Sequence, residues 1–101
     1  MKFGISEKSF KLILKTLNEH PEIEKAIIFG SRAIGNYKTG SDIDLALYGE
    51  NLTRTIVDEV NSELNERLPI PYFIDVINYA EIKNKDLKEH IDSVGKVVLG
   101  K

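Results

Sequence analysis

Asp42 and Asp44, two aspartates separated by a single residue, are the side chains of this sequence best placed to do chemistry. They open an apolar run through Leu47 that reads as a β-strand. Successive strand side chains point to opposite faces, so the two carboxylates share one face, with Cα atoms roughly 6.5 to 7 Å apart, while Ile43 and Leu45 share the other. Such a pair suits a hard cation such as Mg²⁺, which takes one or two protein carboxylates and fills its other positions with water and phosphate oxygens. Upstream, the apolar segment Ala26 to Phe29 breaks at Gly30-Ser31. A short helix opening at Ser31-Arg32-Ala33 would turn free backbone N–H groups toward any anion placed there. A third carboxylate, Asp75, stands inside the aromatic and β-branched run Tyr72 to Ile77. Its apolar flanks predict a buried position, where a charge is costly unless paired or bound to a cation. Three carboxylates on neighbouring strands match a two-metal phosphoryl-transfer site, whose ions lie about 3.5 to 4 Å apart.

Other nucleotide motifs fail on the same residues. Gly30 and Gly35 have the glycine spacing of a P-loop, but Asn36-Tyr37 stands where that motif needs Lys followed by Ser or Thr. No G-x-G-x-x-G follows a strand, and no G-x-S-x-G elbow exists. A plainer account makes Gly40-Ser41-Asp42 a polar turn and Asp44 a solvent-facing strand residue. That account leaves Asp75 and the Gly-Ser turn unexplained.

The elements that must position these groups follow in order. Ser6 caps a first helix whose apolar face is Phe10, Ile13, Leu14 and Leu17, and Pro21 ends it. Lys8, Lys11 and Lys15 form its solvated face, and His20 reads as a surface residue beside its end. The uninterrupted run Ala26 to Phe29 predicts a central strand buried on both faces. Residues 42 to 48 form a second strand, joined to the first by a connection too short for a crossover helix, so the two run antiparallel. Thr53 caps the next helix, with Leu52 and Val57 at the staple positions and Ile56, Val60, Leu64 and Leu68 spaced four apart. Pro69 and Pro71 bracket a turn before the strand holding Asp75. Asn84 caps a last helix carrying Leu87, Ile91 and Val94, with Gly95 suited to a left-handed C′ position and His90 facing solvent. Val97 to Leu99 either adds an edge strand or packs on the sheet; an exposed edge there would pair two copies or be covered by a partner. The sum is an α/β (α+β) chain: a small mixed β-sheet with helices packed on one face and the carboxylate face partly open.

The 101 residues make one domain, 1–101, with 42% hydrophobic and 30% charged residues, ordinary values for a globular protein. A net charge of −2, from 14 basic and 16 acidic residues, lacks the basic excess that binding long nucleic acid requires. There is no cysteine, and the two histidines, His20 and His90, are too far apart for a helical metal pair, so zinc is not expected. No signal-peptide run or membrane-length apolar stretch is present, which predicts a cytoplasmic protein with no membrane partner.

Gly30-Ser31, the Asp42-Ile43-Asp44 pair and the later lone Asp75 together resemble the DNA polymerase β-type nucleotidyltransferase superfamily. Within it the likeness is to minimal nucleotidyltransferases, which carry G-S-R-A-x-G followed by S-D-I-D-L, here Gly30 to Gly35 and Ser41 to Leu45. The likeness extends over nearly the whole chain. Ile34 departs from it, since many members carry a second arginine there. The resemblance implies that Asp42 and Asp44 hold Mg²⁺ with a nucleoside triphosphate, ATP foremost. Asp75 would complete a second ion's position and help deprotonate an acceptor hydroxyl. Gly30, Ser31, Arg32 and Ser41 would face the phosphates, Arg32 through a guanidinium suited to phosphate with a surface ion pair as the equal alternative, and Lys38 and Ser41 as turn residues first and phosphate ligands second. It further implies a HEPN-domain helical partner in a toxin–antitoxin pair, with AMP moved to a tyrosine of that partner. A contact-only, non-catalytic nucleotide-binding subunit is the alternative. Larger members carry an additional domain that grips base or acceptor, and the partner is expected to supply that function here.

Overall fold

The computed structural model describes residues 2–101. Its elements run α1 (Glu7–Asn18), β1 (Lys25–Phe29), α2 (Ser31–Ile34), β2 (Ile43–Tyr48), α3 (Arg54–Ser62), a π-helical turn (Glu63–Arg67), β3 (Ile74–Asn78), a 3₁₀ turn (Tyr79–Glu81), α4 (Lys85–Val94) and β4 (Lys96–Gly100). The sheet order is β3-β2-β1-β4. β1 is antiparallel to both β2 and β4, as its short link to β2 requires, while β2 and β3 are parallel and joined by the α3 crossover.

Local sequence explains most boundaries. The Ser6 hydroxyl accepts from Ser9 N, and Glu7 sits in the first turn of α1. The Thr53 hydroxyl accepts from Ile56 N, and the Asn84 side chain accepts from Asp86 N and Leu87 N. Gly95 departs from the expected left-handed cap, since it is extended at φ −61 and ψ 146. Glycine is needed there for space: a Cβ would fall on Ile91 O and Ile27 Cγ2. His20 is not a free surface residue either. Its Nε2 lies 3.0 Å from Glu63 Oε1, tying the end of α1 to the π turn.

The core divides by strand alternation. Ala26, Ile28, Leu45, Leu47, Ile74 and Val76 meet Ile13 and Leu17 of α1, Val57 and Val60 of α3, and Leu64 of the π turn. On the opposite face Ile27, Phe29 and Ala46 pack against Ile91 of α4. The expected single helical layer is therefore corrected: α4 covers part of the carboxylate face. The cause lies in β1, whose apolar residues point both ways and demand cover on both sides. The tail becomes β4, an edge strand paired with β1, leaving Val97 60% exposed. Among the described residues no helix is long and apolar enough to cross a membrane.

The π turn has a specific task. It brings Asn65 against the outer edge of β3, where its Oδ1 accepts from Ile74 N at 2.8 Å and its Nδ2 donates to Ile74 O at 2.7 Å. Asn61 Nδ2 donates to Val76 O at 3.3 Å. Two amide side chains thus replace the strand that β3 lacks, on either side of Asp75. Asn65→Leu is expected to lower stability by about 2–3 kcal/mol, because both main-chain groups of Ile74 lose their partner. Urea denaturation measures this, together with faster hydrogen exchange at the Ile74 amide.

Candidate active site

The site is assembled from three adjacent strand positions. Phe29 is paired with Asp44 across β1 and β2, and Asp44 is paired with Asp75 across β2 and β3. The two carboxylates thus stand side by side on paired strands, whose backbones in any sheet run about 4.8 Å apart, on the face that carries α4. Asp42 immediately precedes β2, exposed to solvent. Among the described residues none of the three aspartates has an ion-pair partner. Asp75 is exposed, contrary to its expected burial. β3 is the edge strand, and α4 lies over β1, so the face holding Phe73 and Asp75 stays open, with Phe73 58% exposed.

Asp44 is the half-buried member, and its carboxyl is held above the usual 3.8. Burial is the main cause, followed by the negative charges of Asp75 and Asp42. Ionised Asp44 therefore sits in a field that favours a cation. The donors are hard oxygens, as a divalent ion of the Mg²⁺ kind prefers. Among the described residues no three acidic or histidine side chains converge closely enough to enclose an ion alone. The set fits a cation that shares its coordination with water and substrate oxygens.

Gly30 joins the strand to the turn, and its conformation requires glycine. It lies at φ 75 and ψ −157, a region essentially reserved for glycine, and a Cβ there would fall on Asp44 Oδ2. Its carbonyl accepts from Ala33 N at 3.1 Å and Ile34 N at 3.2 Å, starting α2. Its own N–H does not face the cleft as an anion donor. It donates to His90 Nε2 at 3.0 Å. The amides of Ser31 and Arg32, in the first turn of α2, donate to no acceptor among the described residues.

His90 thus belongs to the site and not to the solvent face. The signal was present in the spacing: position 90 is three residues after Leu87 and one before Ile91, on the stripe that α4 buries. Only the packing of α4 on the carboxylate face gives that spacing meaning.

Arg32 is the second revision. Its side chain is 3% exposed, and its guanidinium is committed to main-chain carbonyls: Nε and Nη2 donate to Ser41 O at 3.0 and 2.7 Å, Nη1 to Phe3 O at 2.9 Å. The rings of Tyr37 and Tyr72 each lie 5.0 Å from its central carbon. Carbonyl dipoles and aromatic faces compensate the buried charge. Neither the expected phosphate contact nor the surface ion pair describes it. Arg32 fastens the N-terminal segment to the turn that delivers Asp42. Ser41 is itself a turn residue, its Oγ accepting from Lys38 N at 2.9 Å. Arg32→Lys is expected to cost about 2 kcal/mol, since an ammonium cannot reproduce the fork. An unchanged denaturant slope with a lower midpoint would locate the loss in the fold.

Comparison with known proteins identifies the class to which this fold belongs. The family model described as "Polymerase beta, Nucleotidyltransferase" matches residues 11–101, and the chain belongs to that family. No curated protein sequence matches it. Among solved structures, the fold is similar to a toxin–antitoxin crystal structure with AMP-PNP, at TM-score 0.74 and 23% identity over 91% of this chain and 73% of that one. It is also similar to a tri-AMPylated Shewanella oneidensis HEPN toxin in complex with MNT antitoxin, at TM-score 0.69 and 21% identity over 94% and 72% of the two chains. A third likeness is to the toxin–antitoxin MntA-HepT, at TM-score 0.70 and 20% identity over 95% and 74%.

Proposed function

We propose that this chain is a Mg²⁺-dependent nucleotidyltransferase that moves AMP from ATP to a hydroxyl, that of a tyrosine on a HEPN-domain partner, and thereby acts as an antitoxin. The observation that carries the reading is the Asp44–Asp75 pair on adjacent strands, packed against a glycine whose missing Cβ makes room for the Asp44 carboxylate. Family membership supplies the reaction class. The solved relatives, which include a complex with AMP-PNP and an AMPylated HEPN toxin with its antitoxin, favour ATP and a HEPN acceptor.

Asp42 and Asp44 would hold Mg²⁺, with Asp75 completing a second position; bound there, the ions neutralise developing charge on the phosphate and orient its oxygens. The acceptor oxygen attacks the α-phosphorus while the bond to the β-phosphate bridging oxygen breaks, and pyrophosphate leaves. The open face around Asp75 admits the acceptor, and the Asp75 carboxylate takes the hydroxyl proton. The Ser31 and Arg32 amides are the donors left for phosphate oxygens, and Gly30 lets the main chain approach. Half-burial of Asp44 strengthens its interaction with any cation by lowering the local dielectric.

The test is transfer of label from α-phosphate-labelled nucleoside triphosphates, each supplied separately with Mg²⁺, to a co-expressed HEPN-domain protein. Label on a partner tyrosine, from ATP above the other nucleotides, is the expected result. Mg²⁺-dependent nucleotide binding with no transfer from any nucleotide would replace the enzyme with a contact-only antitoxin.

A further inference from the structure

We infer that His90, carried on α4, is a positioning residue of this site: its Nε2 pins the Gly30 amide and so sets the turn against which the Asp44 carboxylate packs. The activity readout below rests on the proposed nucleotidyl transfer; the structural readout does not.

Three observations converge on His90. The first is the 3.0 Å bond from Gly30 N to Nε2, made across 60 residues of sequence. Gly30 is held from both sides, its carbonyl starting α2 and its N–H reaching back to α4. The second is the ring's setting: it meets Phe29 edge-on, with centroids 6.1 Å apart and planes at 78°. Phe29 is the strand partner of Asp44, so the ring rests on the residue that flanks the carboxylate. The third is the conformation of Gly30, which at φ 75 and ψ −157 mirrors extended backbone and is open to glycine but closed to L side chains. Glycine's freedom leaves the turn several alternatives, and an acceptor for its N–H selects one.

The bond also fixes the imidazole. Accepting at Nε2 leaves the ring neutral with its proton on Nδ1, an assignment made from the hydrogen bond. The consequence for substrate is specific. With the Gly30 N–H turned to α4, phosphate oxygens meet the next two amides, Ser31 and Arg32, whose direction follows from Gly30. Freeing Gly30 releases that direction.

His90→Phe keeps a ring against Phe29 and deletes the acceptor. His90→Gln places an amide oxygen near the position of Nε2. In the Phe variant, hydrogen exchange at the Gly30 amide is expected to speed up roughly tenfold, the worth of one net hydrogen bond. The KM for ATP should rise by a similar factor while kcat changes less than about threefold, because amides that grip phosphate equally in ground and transition state set KM. The Gln variant should restore both. An unchanged Gly30 amide in His90→Phe would overturn the inference, as would Phe and Gln variants that lose stability and KM alike, since that marks a purely structural ring. If the wild type transfers nothing, the proposed reaction fails, and exchange at the Gly30 amide in the wild type against His90→Phe still decides whether His90 holds the turn.

Discussion

Asp44→Asn is expected to reduce nucleotidyl transfer by at least about 10³-fold while the protein becomes more stable in the absence of nucleotide and metal. The loss follows from removing one anionic ligand of a site whose metal-assisted charge stabilisation is worth several kcal/mol, each 1.36 kcal/mol being about tenfold in rate. The gain has a separate origin. Burial and the charges of Asp75 and Asp42 hold the Asp44 carboxyl above 3.8, so the folded state keeps a proton that the unfolded state gives up. Stability linked to this group is fully present below 3.8 and is lost as pH rises through the raised folded value. At neutral pH the ionised carboxylate is therefore a net cost in the protein without ligands. Asparagine removes that charge at nearly constant volume. Thermal melts of the two proteins should accordingly differ most near neutrality and converge in acid. A variant that keeps transferring nucleotide would exclude Asp44 from the reaction; one that melts earlier at neutral pH would show that its carboxylate is compensated by something other than a cation.

Gly30→Ala carries the second large effect, and it acts on fold and chemistry together. The backbone at φ 75 and ψ −157 costs an alanine about 1–3 kcal/mol, and the new Cβ falls where Asp44 Oδ2 now lies. Either the turn rotates or the carboxylate moves. A displacement near 1 Å in a reacting group lowers rate by about 10²-fold, which is the loss of transfer expected here. A double-mutant cycle separates the two costs. Measured in an Asp44→Ala background, Gly30→Ala should be cheaper, because the oxygen it collides with is gone and only the backbone strain remains. Equal costs in both backgrounds would mean that the glycine is required for its dihedral angles alone.

Much of this molecule was legible before any fold was known. Period-four apolar spacing located α1, α3 and α4, and Ser6, Thr53 and Asn84 cap the helices they precede, because caps and stripes depend on residues within one or two turns. The short polar link after Phe29 required β1 and β2 to be antiparallel, and a four-residue apolar run required β1 to be central. The Asp-x-Asp spacing and the Gly-Ser break marked the stretch in which Gly30 and Asp44 meet, because strand alternation is a local property.

What the sequence by itself did not determine is set by contacts between distant segments. Asp75 reads as buried from its neighbours, yet it is exposed, since whether a strand face is covered depends on which helix crosses it and α4 stops over β1. Arg32, by the family resemblance, was expected at a phosphate or in a surface ion pair. Instead it is enclosed by Phe3, Ser41, Tyr37 and Tyr72, residues drawn from both ends of the fold. The π turn, and with it the pinning of β3 by Asn61 and Asn65, has no local signature, because its benefit is realised only at the unpaired edge of a strand that follows it. His90 is the sharpest case. The sequence turned it to solvent, and only the packing of that helix across the sheet brings its Nε2 to Gly30 and makes a helix residue part of a site built on strands. Local preference is decided by neighbours in the chain; the direction of a hydrogen bond and the burial of a charge are decided by neighbours in space.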